Sequence, residues 1–560
     1  MTLKFNFMKV SVILIMLLLF CNCKPLKIQN EVKKHTDTLI LWHHKDYIQD
    51  SVYGISLNKW YQEDFKNTKN KIIVATIDSQ IDINHEDLKG KFWVNQNEIP
   101  NNGVDDDKNG YIDDTNGWNF IGVGNSNLQA FVNFEFVRIL KKYKNDFENK
   151  DTIQLQNNPI YREYKRAFEK YLDDKKYYER YLKEENVLIS AYYPAKDTLH
   201  YYFPKDDYTF KQLDSLYQIH KGIEKRFTER VDDDVPSERT FSDLIYYMRM
   251  IKRYNFTIEG MKSSSQHNDS IVHKLLNLNY DDRKKIKNYQ LEKGYGNNTL
   301  NSDQRLNSHN TKVSSVLIGN RNNNKGVKGF HDNIYIMPLV ISPFGDEYDK
   351  DIANAIYYAV DNGAKVINMS FSKQFSLDQD IVTQSLQYAE KRNVLVVHTS
   401  GNASSNVDIT PFYPTDFSYL NNNELTQNLI TVGSTSKRID STLVTPYSNY
   451  GKNNVDIFAP GEDIYVAIPN NQYTYDSGTS LAAPMVSGTA ALIWLYYPNL
   501  TVQEVKKIIL ESGITIDKKV VKPGTKNELV PFSELCKSGK ILNTYNAMKM
   551  AEEISSKKNH

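Results

Sequence analysis

From about residue 301 to 512 the chain alternates short, continuously apolar runs with longer segments whose apolar positions recur every three or four residues. The runs Ile334–Val340, Ala364–Met369, Val394–His398 and Leu429–Val432 are short and rich in β-branched residues, and they predict strands. Between them, Ile352–Asn362 and Ile381–Lys391 carry the helical period. An earlier run, Lys71–Asp78, has the same strand character and ends in a carboxylate. Continuously apolar strands alternating with helices predict an α/β fold, a parallel sheet with helices on both faces. Sites in such sheets form at the carboxyl edge of the strands. Asp78 falls at that edge, and so does Asn402, which follows Val394–His398 in Thr399-Ser400-Gly401-Asn402.

Two further apolar segments begin at chemically suggestive residues. Leu481–Tyr497 predicts a buried helix whose start is Asp476-Ser477-Gly478-Thr479-Ser480. A helix start supplies unpaired N–H groups and partial positive charge, which suit a developing oxyanion. His309 opens another periodic segment that runs to Gly319. Taken singly, Ser480 and Asp78 read as helix caps, His309 as a capping or surface residue and Asn402 as a turn residue. Taken together they supply a nucleophile, a carboxylate, a base and an oxyanion donor, which is the full requirement for acyl transfer through serine.

The stretch 128–300 has a different pattern, charged with interspersed aromatics. Glu163–Glu185, Ser242–Tyr254 and Asp281–Lys293 are amphipathic, which predicts a mainly helical, solvated insert. Residues 24–70 are polar with scattered aromatics such as Trp42, Tyr53 and Trp60, and are expected to pack along the main domain as an extension. Ahead of them, Lys4 and Lys9 precede the apolar run Val10–Phe20, which ends at Cys21-Asn22-Cys23. That run has the length of a signal-peptide core, so residues 1–23 are expected to direct export. A cysteine after such a core is expected to carry lipid, on Cys21 or Cys23, leaving the protein lipid-anchored at the cell envelope or secreted. No later segment reads as apolar enough to cross a membrane. The net charge of +1 gives no field to recruit nucleic acid, and three cysteines do not make a disulfide framework. Asp105, Asp107, Asn109, Gly110 and Asp113 follow the spacing that opens an EF-hand-type loop, with Asn116 where that loop would have its last carboxylate. A structural calcium ion is the expectation there, against the alternative of an Asn/Asp/Gly turn cluster.

The ordered blocks resemble the subtilisin-like serine proteases, the subtilases. They are Val74-Ala75-Thr76-Ile77-Asp78-Ser79, His309-Asn310-Thr311, Gly326-Val327-Lys328-Gly329, Val366-Ile367-Asn368-Met369-Ser370, Ser400-Gly401-Asn402 and Ser477-Gly478-Thr479-Ser480-Leu481-Ala482-Ala483-Pro484. The resemblance implies a peptidase domain formed by 71–127 and 301–550. It also implies that Ser480 attacks, His309 takes the proton, Asp78 orients the histidine and Asn402 holds the oxyanion. Ser370-Phe371-Ser372 would pair with the substrate backbone. The expected function is exported serine endopeptidase action on polypeptides with no cofactor in the chemistry. The alternative is a catalytically impaired, subtilase-like protein that binds peptides or acts as a surface scaffold. The family pattern is altered by Gln80, Asn310, Lys312 and Ser314-Ser315, and 231 positions separate Asp78 from His309.

Overall fold

The computed structural model describes residues 40–63, 68–150, 153–286, 288–290, 293–419 and 421–558. The signal segment 1–23, with Cys21 and Cys23, lies outside them. The chain forms two compact units, one spanning residues 136–280 and the other built from the parts before and after it.

The larger unit is organised by a nine-stranded sheet. Its strands in chain order are β1 Ile72–Asp78, β2 Trp118–Asn119, β3 Ile334–Val340, β4 Val366–Met369, β5 Leu395–Thr399, β6 Leu429–Thr435, β7 Ile457–Pro460, β10 Ile514–Thr515 and β11 Lys540–Ile541. Between β7 and β10 in sequence, β8 Ile464–Ile468 and β9 Gln472–Asp476 pair separately as an antiparallel hairpin. The order across the sheet is β10-β11-β7-β6-β5-β4-β1-β3-β2. All pairs are parallel except β10 with β11. β1 sits between β3 and β4, in register with β3 from Ile72 opposite Ile334 to Asp78 opposite Val340.

Because strand side chains alternate, each face of the sheet builds its own core. Val74, Ile336, Val366 and Val397 pack on one side with α1 (Ser308–Ile318) and α4 (Thr479–Tyr496). Ala75, Ile77, Met337, Ile367 and Val396 pack on the other with α2 (Asp349–Asp361) and α3 (Gln379–Lys391). α4 is apolar all round and almost wholly buried, as expected of a helix at the centre of a domain. By length and hydropathy it would pass for a membrane span, contrary to the sequence reading, yet 89% of it is buried in the core.

Of the N-terminal segment, the described residues Trp42, Ile55, Leu57 and Trp60 enter the first core. The Trp42 indole donates to the Asp463 carbonyl at 3.1 Å, and Thr544 N–H, at the start of α5 (Thr544–Lys558), donates to Ile55 O at 2.7 Å.

Residues 136–280 form a separate helical unit. Its longest helix, Pro159–His200, starts with Asn158 as N-cap and proline in the first turn. Leu188, Ala191, Tyr217, Ile245, Met248 and Ile251 contribute to a core drawn from this unit alone. Phe241–Arg253 is helical close to the expected bounds. Among the described residues of Asp281–Lys293 the chain makes turns rather than the expected helix.

Candidate active site

Asp78 is the last residue of β1, placed by the strand at the carboxyl edge of the sheet. Its Oδ1 accepts from Ser79 N–H at 2.6 Å and lies 2.8 Å from His309 Nδ1. The carboxylate is 2% exposed, whereas the imidazole is 45% exposed and open on its other side. Desolvation opposes a charge on His309, but attraction to Asp78 and the hydrogen bond between them outweigh it, and the pKa is raised above 6.5. The histidine is the second residue of α1, so the helix start fixes its direction.

Ser480 is the second residue of α4. Pro484 lies four residues on and has no N–H, so it cannot pair with the Ser480 carbonyl. Ser370 Oγ donates to that carbonyl at 2.9 Å instead. In return Ser480 Oγ donates to Ser370 O at 2.9 Å, which holds the hydroxyl against the end of β4. Ser370 is itself set by Asn368, whose Nδ2 donates to Ser370 Oγ at 2.9 Å.

Asn402 follows β5. Its Oδ1 accepts from both Thr479 N–H and Thr479 Oγ1, each at 2.9 Å. That fixes the amide so that Nδ2 is left as a donor. A methyl group built on Gly478 would lie 3.6 Å from Asn402 Nδ2 and 3.7 Å from Ser480 N. The two N–H donors therefore flank one small space that the glycine keeps clear.

Each residue that departs from the family pattern is hydrogen-bonded or paired, and none of the replacements is left without a contact. Gln80 Oε1 accepts the N–H of Ser302 and Asp303, at 2.8 and 2.7 Å, fixing the segment that leads into α1. Asn310 Nδ2 donates to Ser79 O at 3.0 Å, and Ser314 Oγ donates to Asn310 Oδ1 at 3.0 Å. Ser315 Oγ accepts from Ala467 N–H at 3.0 Å. Lys312 pairs with Asp476 at 2.7 Å, so its ammonium is not an uncompensated charge beside His309.

Ser370-Phe371-Ser372 continues from β4. Among the described residues, no partner takes the backbone N–H of Phe371 or Ser372. The segment is pinned beyond by Lys373, whose backbone pairs with Tyr413 and whose buried ammonium meets Asp349 at 2.7 Å and Glu135 at 3.3 Å.

The acidic loop closes differently from its sequence spacing. Asp105 and Asp107 come together with Glu98, their carboxylate oxygens lying within 4.8 Å of one another. Asp113 turns away, its carboxylate accepting the N–H of Asn102 and Gly103. Asn109 points Nδ2 at Asp107 and Asp114. The three carboxylates fit a hard cation by donor type. Glu98 escaped the motif because it stands seven residues ahead of Asp105. Gly478 and Thr479 escaped as well, since their roles depend on where Asn402 lies in space. Cys536 is buried, and desolvation pushes its thiol up to about 11, which removes it from thiolate chemistry.

A strand-end carboxylate thus meets a histidine at a helix start, and a serine at a second helix start shares the space beside Gly478 with the Asn402 amide. The chain belongs to the subtilase family, whose pattern it matches over residues 69–530. It is similar to Subtilisin-like protease 2 of Plasmodium falciparum (isolate 3D7), 30% identical over 236 residues, or 41% of this chain and 17% of that protein. It is also similar to the Thermophilic serine proteinase of Bacillus sp. (strain AK1), 35% identical over 189 residues, or 34% of this chain and 43% of that one. The chain thus spans less than half the length of these curated relatives. Among solved structures, that of the prenylagaramide maturation protease PagA shares 26% identity at a TM-score of 0.36, over 44% of this chain and 82% of that one.

Proposed function

We propose that this chain is an exported serine endopeptidase that hydrolyses polypeptides through Ser480, His309 and Asp78. The observation that carries the reading is the 2.8 Å contact between His309 Nδ1 and Asp78 Oδ1, which leaves Nε2 as the ring's outward nitrogen. Ser480 Oγ turns from the Ser370 carbonyl toward Nε2, transfers its proton there and attacks the substrate carbonyl. The oxyanion is received by Asn402 Nδ2 and Ser480 N–H, and His309 returns the proton to the leaving amine. Free N–H groups at Phe371 and Ser372 support an extended substrate added there as a strand. No step draws on a metal.

The test is labelling with a fluorophosphonate probe. Wild-type protein should label, Ser480→Ala should not, and peptide hydrolysis should vanish with the label. Unlabelled, correctly folded wild type would overturn the reading in favour of a peptide-binding descendant. Export and a lipid anchor on Cys21 or Cys23 are tested by fatty-acid labelling, with loss expected in the Cys21→Ser/Cys23→Ser pair. A calcium ion on Glu98, Asp105 and Asp107 would be structural: a chelator should lower the Tm, and an unchanged Tm would end that part of the proposal.

A further inference from the structure

We propose that Lys312 and Asp476 act as a matched pair of positioning residues, clipping the histidine-bearing helix to the strand before Ser480 and balancing the charge around the imidazole. The inference rests on reading His309 as the general base. Lys312 lies three residues beyond His309 on α1, one turn along the same side. Its Nζ meets Asp476 Oδ2 at 2.7 Å, at the end of β9 and four residues before Ser480. The other oxygen, Asp476 Oδ1, accepts Ser477 N–H at 2.8 Å, and Ser477 Oγ accepts Asp463 N–H at 2.9 Å. The pair therefore joins the two segments that must present base and nucleophile, across 164 positions of sequence.

With 22% and 40% of their side chains exposed, the two residues make a weak stabilising bridge. Their placement bears on His309 instead. The charges that act on the imidazole are Asp78 from β1, which pairs with it, Lys312 from its own helix and Asp476 from β9, which pairs with Lys312. Lys312 disfavours the imidazolium and Asp476 favours it, so each offsets the other, and removing either one unbalances the base.

The experiment compares Lys312→Met, Asp476→Asn and the double variant by the pH dependence of kcat/KM, and by NMR titration of the His309 ring in the full chain without substrate. Asp476→Asn should move the acid limb to lower pH and Lys312→Met should move it higher, each by roughly 0.3–1 pH unit for a part-solvated charge. The double variant should return close to wild type. A merely structural bridge would lower activity in both single variants with no opposed shifts, and that result overturns the proposal. The ring titration separates it from the parent reading. Opposed ring shifts in a protein that neither labels nor cleaves would sink the base assignment while the coupling stands. Full activity with unmoved limbs and an unmoved ring would sink the coupling alone.

Discussion

Gly478 leaves empty the place where a side chain would stand between Asn402 Nδ2 and Ser480 N–H. Its φ of 165° is ordinary extended backbone, and the nearest contacts of an added methyl, 3.6–4.0 Å, are van der Waals distances. Gly478→Ala should therefore fold with its Tm within a degree or two. Its methyl would occupy the space meant for the oxyanion, and kcat/KM should fall by about one to two orders of magnitude. Unchanged activity would show that the oxyanion lies elsewhere. Asn402 offers a second test, because its two ends do different work. Asn402→Ala should cost roughly 10²–10³-fold in kcat, the loss measured for such an asparagine in a subtilisin, a member of this family. Asn402→Asp keeps an acceptor for Thr479 but replaces the donor with an anion, so it should hold the start of α4 and still lose activity. Both variants would be read by steady-state kinetics beside a thermal melt. At this scale Asp78, His309 and Ser480, the residues proposed to react, stand out in sequence because each lies at a strand end or a helix start. The contacts that Ser370, Thr479 and Asp476 make with their surroundings do not, since they join positions far apart in the chain.

Among elements, the strands were the most legible. Ile334–Val340 falls on its predicted bounds, and β4, β5 and β6 fall within a few residues of theirs. A central strand buried on both faces must be apolar throughout, and no other element in this chain has that signature at that length. The β8–β9 hairpin was not among the predicted strands: Gln472–Asp476 alternates tyrosine with polar residues rather than running apolar throughout as the sheet strands do. The described part of the N-terminal segment carries a cost that its sequence does not show. His43 and His44 are fully buried beside each other, and neither ring has a hydrogen-bond partner among the described residues. Burial lowers the pKa of His43 to about 3, and burial, with the charges of His43, Arg321 and Lys328, holds His44 well below its usual value. The unfolded chain therefore takes up protons below pH 6.5 that the folded extension refuses, so stability is lost as pH falls from 6.5 toward 3. At pH 5 one such histidine destabilises by about 2 kcal/mol. The Tm of wild type should fall between pH 7 and pH 5, and His43→Phe should flatten that fall. An equal fall in both would place the acid sensitivity elsewhere.

In the whole molecule, the question is what separates Asp78 from His309. The strands of the main sheet and the residues Asp78, His309, Asn402 and Ser480 lie before residue 136 or after residue 280. The intervening unit has its own core, from Val187 to Met261, and its own capped helices. Its Arg180–Glu184 and Lys170–Asp174 pairs are helix-surface contacts worth a few tenths of a kcal/mol each. The core and the caps thus hold the unit together. The separation of the two motifs in sequence is a large loop inserted into a finished sheet, and closing such a loop costs only about 0.6 kcal/mol more for each doubling of its length. Replacing 136–280 with a short Gly/Ser bridge should then leave Ser480 labelling by a fluorophosphonate within a few-fold of wild type. The excised segment, expressed alone, should give a helical far-UV CD spectrum and a cooperative melt. Loss of labelling in a folded, bridged protein would mean that the helical unit helps to shape the site. If labelling survives while cleavage of long polypeptides falls and cleavage of short peptides does not, the unit governs substrate choice rather than chemistry.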